Sequence, residues 1–284
     1  MTKKKITMVF DTETAGTLEK PLIYDIGLVI TDKKGSHLLK KRWIVKEIFD
    51  NKDLMNSAYY SEKIPKYYND IDDIKAPFGY IIHEIREIIQ NAKVDITAAY
   101  NLNFDLRAMV NTYMELIGKK YNKKMIWQKT RNGKFYPNFE KMFTDYIIKK
   151  ETRFLDIWSY ACETVLNSRN YRKVADINGW YSEAGNYLSN AEKTYAYLSG
   201  DHYFEEEHTA LDDSMIEVYI LWHCEKRKKA HKSGILFNPW RLIQKWVNLF
   251  SWHEKCPGFV IFLTKIILNF FIYRLDNYMI LWYN

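Results

Sequence analysis

Three runs of apolar and β-branched residues open the chain and predict consecutive strands. Ile6 to Phe10 contains only such residues, which predicts a strand buried on both faces. Ile23 to Thr31 and His37 to Val45 predict a second and a third strand, separated by a turn at residues 32–35. Gly35 supplies the positive φ that such a turn favours. Short connections between the three strands predict an antiparallel meander that begins at Ile6.

Helical spacing of apolar residues replaces the strand pattern in much of the remaining chain. Ala76–Pro77 begins a helix in which isoleucines recur at helical spacing. Short strands are predicted at 95–100 and 154–158, and a loop at 167–187. Further helices are predicted up to residue 117, at 159–166, at 190–198, and from about 205–213 to residue 229.

Two carboxylates follow directly from the first predicted strand. Side chains alternate between the two faces of a strand, so Asp11 and Glu13 point the same way and Thr12 points away. Adjacent carboxylates repel each other and lose hydration unless a cation lies between them. Hard divalent ions such as Mg²⁺ and Mn²⁺ favour such oxygen ligands. The pattern also occurs by chance in solvated loops, so its meaning depends on partners elsewhere in the chain.

Further acidic residues lie at the start of later helices. Asp105 falls in the first turn of the helix that follows the strand at 95–100, where an Asp more commonly complements the helix dipole. Asp213 lies at the start of the last predicted helix, five residues after His208. Its neighbour Asp212 is interpreted as a helix N-terminal charge. Residues 205–207 are interpreted as a solvated acidic run from which one glutamate could orient His208, and Asp156 is assigned a structural role.

Three short motifs together resemble a known family. They are Phe10-Asp11-Thr12-Glu13, Tyr100-Asn101-x-x-Phe104-Asp105 and His208-x-Ala210-x-x-Asp213. In this order and on these elements they resemble the motifs of the DEDDh family, the DnaQ-like 3′–5′ exonucleases, over about residues 6–225. Each motif is weak alone, but the three in order with the five-residue spacing from histidine to aspartate are specific. Within the family, the chain looks most similar to phage-type members.

The resemblance implies an α/β architecture, the ribonuclease H-like fold. Its sheet is mixed and five-stranded, with three antiparallel strands first, then parallel strands and helices on both faces. The fold would occupy residues 1–230, followed by a helical C-terminal appendage at 231–284. The resemblance further implies two divalent metal ions, Mg²⁺ or Mn²⁺, and a histidine as general base. The implied metal ligands are Asp11, Glu13, Asp105 and Asp213, and the implied catalytic residues are these four together with His208.

The implied activity is hydrolysis of phosphodiester bonds at single-stranded 3′ ends, releasing nucleoside 5′-monophosphates. Two cations can activate the attacking water and stabilise the leaving oxygen, and a histidine can accept the proton of that water. The sequence leaves open whether the substrate is DNA or RNA, so an RNA-specific trimming exoribonuclease is an alternative. A non-catalytic nucleic-acid-binding protein on the same fold is another. A mere binder has no need of a general base beside four carboxylates, which favours the enzyme.

Positive charge is concentrated in two segments of the chain. The net charge is +7, yet residues 119–153 carry +8 and residues 226–284 carry another +8, so the rest of the chain is acidic. In 119–153 the cations alternate with aromatic residues, which is typical of a surface that follows phosphates and stacks bases. We interpret 119–153 as a basic, aromatic insertion that contacts single-stranded DNA or RNA. Two solvated basic segments without a partner are the alternative.

The C-terminal segment combines basic and apolar residues in a way the family motifs do not explain. Phe259 to Tyr273 is nearly all apolar but short for a membrane span, and Lys265 interrupts it. Packing against the body, self-association, membrane-surface contact through 239–284, or a poorly ordered tail are the possible roles.

Compartment is inferred from the cysteines and the N-terminus. Three cysteines without Cys-x-x-Cys spacing predict no disulfide partner and a reducing compartment. Together with a lysine-rich start that carries no secretory signal, they predict a cytoplasmic protein, in the host cytoplasm if it is phage-encoded.

Overall fold

A mixed six-stranded sheet forms the centre of the computed structural model, which describes residues 5–58, 74–129 and 134–227. The strands are β1 (Ile6–Gly16), β2 (Pro21–Asp32), β3 (His37–Val45), β4 (Lys75–Ala76), β5 (Ile96–Ala99), β6 (Trp127–Lys129), β7 (Phe135–Pro137) and β8 (Arg153–Asp156). The central sheet has the order β4-β3-β2-β1-β5-β8. Strands β1, β2 and β3 are antiparallel, whereas β5 lies parallel to both β1 and β8.

Helices cover both faces of this sheet. They are α1 (Lys46–Phe49), α2 (Lys52–Met55), α3 (Phe78–Asn91), α4 (Leu102–Leu116), α5 (Phe139–Met142), α6 (Ile157–Thr164), α7 (Arg169–Asn178), α8 (Ala191–Ser199) and α9 (Ala210–Lys226). Met8 and Phe10 of β1 belong to the core that contains α3 and α4. Val9, between them in sequence, belongs to the core that contains α6 to α9. The alternation of side chains along a strand therefore fills two separate cores.

The predicted mixed sheet with helices on both faces is confirmed, with one correction to the strand number. Strand β4 is a sixth, two-residue strand paired in parallel with the edge of β3, and it is too short to leave a pattern in the sequence. The predicted C-terminal helical appendage lies outside the described residues. Within those residues, no helix is long and apolar enough to cross a membrane.

The loop predicted at 167–187 was wrong for its first half, which forms α7. Ser168 caps this helix by accepting a hydrogen bond from the Tyr171 amide. Only Tyr171 and Ala175 are buried, four residues apart, because α7 lies at the surface. A single buried pair is too little apolar periodicity to reveal a helix from sequence.

The basic segment 119–153 is only partly an exposed surface. Its first part, a 3₁₀ turn (Gly118–Tyr121) and the β6–β7 hairpin, exposes most of its lysines and aromatic rings. Its second part contains a π-helical turn (Phe143–Ile148) whose apolar residues lie in the core, where the Phe143 ring stacks on Phe10 at 5.6 Å. The insertion predicted from charge therefore begins as a surface and ends as part of the core.

Contacts along the chain divide it into two units. The larger one contains the sheet and its helices. The described part of the smaller one is Tyr181–Asn186, a turn in which the Ser182 amide donates to the Asn186 carbonyl at 2.8 Å and the Asn186 amide donates to Ser182 Oγ at 3.2 Å. A domain boundary near residue 230 stays a prediction.

Helix α9 lies unusually close to β2 at Gly27. A Cβ atom at this position would lie 2.0 Å from the Ala210 carbonyl oxygen, so only glycine allows the approach. Beside it, the buried Asp25 accepts a hydrogen bond from the Ala210 amide at 3.2 Å. The Arg42 guanidinium holds the Asp25 carboxylate from β3, at 2.8 to 3.1 Å. This arrangement fixes the start of α9 on the sheet.

We predict that Gly27→Ala displaces the start of α9 and destabilises the protein by about 1–3 kcal/mol or more, because the new methyl group overlaps backbone rather than a movable side chain. Urea denaturation would measure this loss. Gly79→Ala is the matched control, since a Cβ atom there would meet only the Ile117 Cδ1 atom at 3.9 Å. Equal stability of the two variants would contradict the close approach.

Candidate metal centre

Strand β1 presents Asp11 and Glu13 on the face that α9 covers. Asp11 lies opposite Gly27 and Glu13 opposite Asp25 in the antiparallel register, and directly opposed residues share a face. A register shift follows immediately, between Glu13 and Thr14. Asp11 and Glu13 therefore point the same way, as expected, and they lie on a buried strand that pairs with β2.

Helix α9 delivers the third carboxylate. Thr209 caps the helix by accepting a hydrogen bond from the Asp212 amide, and its hydroxyl in turn contacts the Asp212 carboxylate. Asp212 therefore has the helix-terminal role expected of it. The next residue, Asp213, turns inward and is 8% exposed, and its buried Oδ1 atom has no hydrogen-bond partner among the described residues.

Three side chains converge closely enough to share a cation. Ligand atoms of Glu13, His208 and Asp213 all lie within 4.8 Å of one another. His208 adopts a φ of +55°, a left-handed conformation that is rare for residues other than glycine. Such strain persists only where the surroundings enforce it, and it is commonly found at functional sites. Here it turns the imidazole toward the carboxylates of β1 and α9.

Glu206 and Glu192 form a second acidic group near His208. His208 Nδ1 lies 3.8 Å from Glu206 Oε2, and both side chains are mostly buried. Glu192 of α8 completes a group of three ligand atoms with them, again within 4.8 Å. Glu205 and Glu207 are exposed, as expected of a solvated run. Glu206 therefore differs from its neighbours and occupies the position from which a glutamate could orient His208.

Asp105 is placed near this centre by the left-handed turn at Asn101, which begins α4. It is 2% exposed, and Thr12 Oγ1 donates to its Oδ1 atom at 2.8 Å. Asp156 holds the same turn, since it accepts from the Asn101 amide and caps α6, which agrees with a structural role. Among the described side chains, Asp11 and Asp105 lie outside the 4.8 Å group. Asp11 nevertheless acts electrostatically on Glu13 and Asp213, and Asp105 acts on Asp11.

Burial raises the pKa of all four candidate ligands, and repulsion from neighbouring carboxylates adds to the shift. Desolvation followed by neighbouring carboxylates raises the pKa of Asp11 and of Glu13 well above their ordinary values. Desolvation raises the pKa of Asp105 to about 8, although the Thr12 hydroxyl opposes the shift. Desolvation and then Asp11 raise the pKa of Asp213 to about 10. The protein alone thus penalises the charges that this centre would carry at neutral pH.

This donor set fits divalent cations. Carboxylate oxygens are the preferred ligands of Mg²⁺ and Mn²⁺, and Asp213 Oδ1 is a buried acceptor whose hydrogen-bonding capacity is not used within the described chain. A cation among these groups would remove the repulsion that raises their pKa values. Asp11, Glu13, Asp105 and Asp213 are the residues that could hold such ions.

Sequence reasoning did not single out Glu217. This residue lies four positions after Asp213 on α9 and is 2% exposed, with Asp11, Asp105 and Asp213 as the charges that act on it. Its spacing from Asp213, which places both on one helix face, was the available signal. Asp25 and Arg42 were also missed, because their ion pair joins two strands and leaves no local motif.

Comparison with solved structures places the chain among proteins of ribonuclease H-like fold, which confirms the fold class. A product-bound structure of exonuclease I matches with a TM-score of 0.51 and 12% identity, over 79% of this chain and 44% of that chain. E. coli exonuclease I in complex with a dA16 oligonucleotide also matches with 0.51 and 12%, over 79% and 41%. An apo structure of exonuclease I gives 0.50 and 12%, over 80% and 43%. The chain therefore spans less than half the length of these proteins. No protein-family model and no curated protein sequence matches it.

We predict that the metal-free protein becomes less stable as the pH rises from about 5 to 9. Carboxyl groups with raised pKa bind protons in the folded state that they release in the unfolded state, so each lowers the free energy of unfolding with increasing pH, by about 1.4 kcal/mol per pH unit and proton. The window runs from the ordinary pKa of 3.8 to about 8 for Asp105 and about 10 for Asp213. Denaturation in EDTA would measure the slope.

Saturating Mg²⁺ should flatten this slope, and Asp213→Asn should reduce it without metal. The neighbouring Asp212→Asn, which leaves the inward-facing carboxylate in place, should retain it. A metal-free stability that rises with pH over this window would contradict the assigned burial of charge.

We predict that Thr12→Val weakens the affinity for divalent cations about 10–100-fold, because Asp105 loses the hydroxyl that orients it. Valine preserves the shape and the buried environment of Thr12. Isothermal titration with Mn²⁺ would measure the affinity, and Thr12→Ser, which keeps the donor, is the control. Wild-type affinity in the valine variant would show that the hydroxyl does not position Asp105.

Proposed function

We propose that the chain is a divalent-metal-dependent 3′–5′ exonuclease of the DEDDh type, which hydrolyses single-stranded 3′ ends and releases nucleoside 5′-monophosphates. The convergence of Glu13, Asp213 and His208 within 4.8 Å, on a ribonuclease H-like fold, carries the proposal. Asp11 and Asp105 adjoin this group and complete the donor set that two cations require.

The chain's residues divide the work of hydrolysis. Asp11, Glu13, Asp105 and Asp213 would hold two cations, Mg²⁺ or Mn²⁺, which when bound acidify water and neutralise charge on the phosphoryl and leaving oxygens. His208 accepts a proton from the attacking water. Glu206 Oε2 lies 3.8 Å from His208 Nδ1, where its carboxylate can orient the ring. Thr12 holds Asp105 in place.

The exposed part of the basic segment supports a single-stranded nucleic acid as substrate. Tyr121, Trp127 and Phe135 are 61%, 55% and 65% exposed, which is unusual for large aromatic residues without a partner to stack on. Lysines accompany the rings, with Lys129 Nζ 5.8 Å from the centre of the Phe135 ring. Aromatic rings stack bases of any sequence, and lysines neutralise phosphates.

DNA is the preferred substrate in this proposal. Exonuclease I, whose fold the chain shares, has been determined with a dA16 oligonucleotide. An RNA-trimming enzyme, the alternative, would need contacts to the 2′-hydroxyl. We extend the proposal to a cytoplasmic location, a place among phage-type members, and self-association or membrane-surface contact through 239–284. Fractionation with and without residues 239–284 would test the location and the membrane contact.

A cleavage time course tests the function. Single- and double-stranded DNA and RNA, labelled at the 5′ end, would be incubated with Mg²⁺, Mn²⁺ or chelator. We expect single-stranded DNA to shorten from its 3′ end, only with metal. His208→Ala should be about 10²–10⁴-fold slower, the usual contribution of a general base. Asp213→Asn should be inactive, and Asp212→Asn should retain activity.

Other outcomes of this time course would favour one of the alternative functions. Shortening of RNA alone would favour the exoribonuclease. Tight binding without cleavage under every metal would favour the non-catalytic binding protein. Full activity of Asp213→Asn would contradict the site assignment itself.

A further inference from the structure

Glu217 is a buried carboxylate directly beneath the candidate metal centre. It follows Asp213 by four residues on α9, so the two side chains lie on the same helix face, one turn apart. It is 2% exposed, less than Glu13 or Asp213 themselves. Its neighbours Ile216 and Ile220 are the apolar residues expected in such a position. An acid here needs a reason, because burying a charged group without compensation is costly.

The surroundings of Glu217 connect it to the centre rather than to a structural ion pair. The Tyr100 amide, immediately after β5, stabilises its carboxylate with a hydrogen bond. The side chains whose charges act on it are Asp11, Asp105 and Asp213, all of them acidic. One oxygen is thus used by the backbone at the end of β5, and the carboxylate remains within the field of three candidate metal ligands.

The other oxygen of Glu217 has an unused hydrogen-bonding capacity that indicates a ligand. Oε2 is buried and has no hydrogen-bond partner among the described residues, a state it shares with Asp213 Oδ1. Buried polar atoms in folded proteins nearly always have a partner, so an acceptor of this kind requires an explanation such as a bound ion or water. Glu217 lies outside the described groups of three ligand atoms within 4.8 Å. Two such acceptors one helical turn apart, with the charges of Asp11 and Asp105 acting on Glu217, nevertheless indicate a place where a cation would be stabilised.

We propose that Glu217 is a fifth carboxylate of the metal centre, whose buried Oε2 atom would stabilise a divalent cation held by Asp11 and Asp105 from outside the group of direct ligands. This proposal rests on the proposed metal-dependent function. It assigns Glu217 to cation binding, in addition to the four carboxylates of the DEDDh motifs. The extra negative charge would strengthen the binding of divalent cations at this site.

Titration calorimetry with Mn²⁺ alone tests the proposal. Glu217→Gln should bind Mn²⁺ about 10-fold more weakly or worse than the wild type, because the neutral amide removes a negative charge that supports the bound cation. Glu225→Gln is the matched control on the same helix, since Glu225 pairs with Lys5 and should leave the Mn²⁺ affinity unchanged. Equal Mn²⁺ affinity of Glu217→Gln and the wild type overturns the proposal. If the wild type itself binds no Mn²⁺, the proposed function fails instead.

Thermal unfolding distinguishes a residue that supports cation binding from a purely structural one. In chelator, Glu217→Gln should unfold at a higher temperature than the wild type, because it removes one of several repelling carboxylates. With Mn²⁺ the order should reverse. A structural role would lower the unfolding temperature equally in both conditions and would overturn the proposal. Glu217→Leu, which continues the apolar pattern of Ile216 and Ile220, serves the same comparison if the glutamine variant does not fold.

Discussion

The close contact between the start of α9 and β2 is the constraint on which the rest of the site depends. Gly27 lets the Ala210 backbone lie against the strand, and Asp25, held by Arg42, receives its amide. Because Gly27 lies opposite Asp11 in the sheet, this contact sets the distance between the carboxylates of β1 and Asp213. The absence of a Cβ atom at Gly27 and the close approach of the start of α9 therefore bring Asp213 toward the carboxylates of β1.

That placement has an energetic cost, which the candidate function explains. Four carboxylates with raised pKa values, and Glu217 beneath them, are a poor choice for stability alone. The strained His208 adds to the cost. Proteins accept such local destabilisation where a site must bind charge, and bound cations would reverse it. The apolar cores on both faces of the sheet offset this destabilisation.

Much of the fold could be predicted from sequence, because its central strands are long and apolar and their alternation places Asp11 and Glu13 on one face. The order and spacing of the motifs also indicated Asp105, His208 and Asp213. The remainder depends on contacts between distant residues. The Thr12 hydroxyl reaches Asp105 across 93 positions, and its role has no local signature. Glu217 lies between apolar residues of α9, and only its spacing from Asp213 indicated a role. Helix α7 buries too few residues to show a helical period. The basic composition of 119–153 gave no indication that its last part belongs to the core.

Anomalous diffraction from crystals soaked in Mn²⁺ would locate bound cations independently of activity. We expect Mn²⁺ between the strand-end carboxylates and α9, with one ion about 2 Å from oxygens of Glu13 and Asp213 and another near Asp11 and Asp105. Saturating Mn²⁺ that gives no peak within this group of carboxylates, or peaks only on the protein surface, would contradict this expectation.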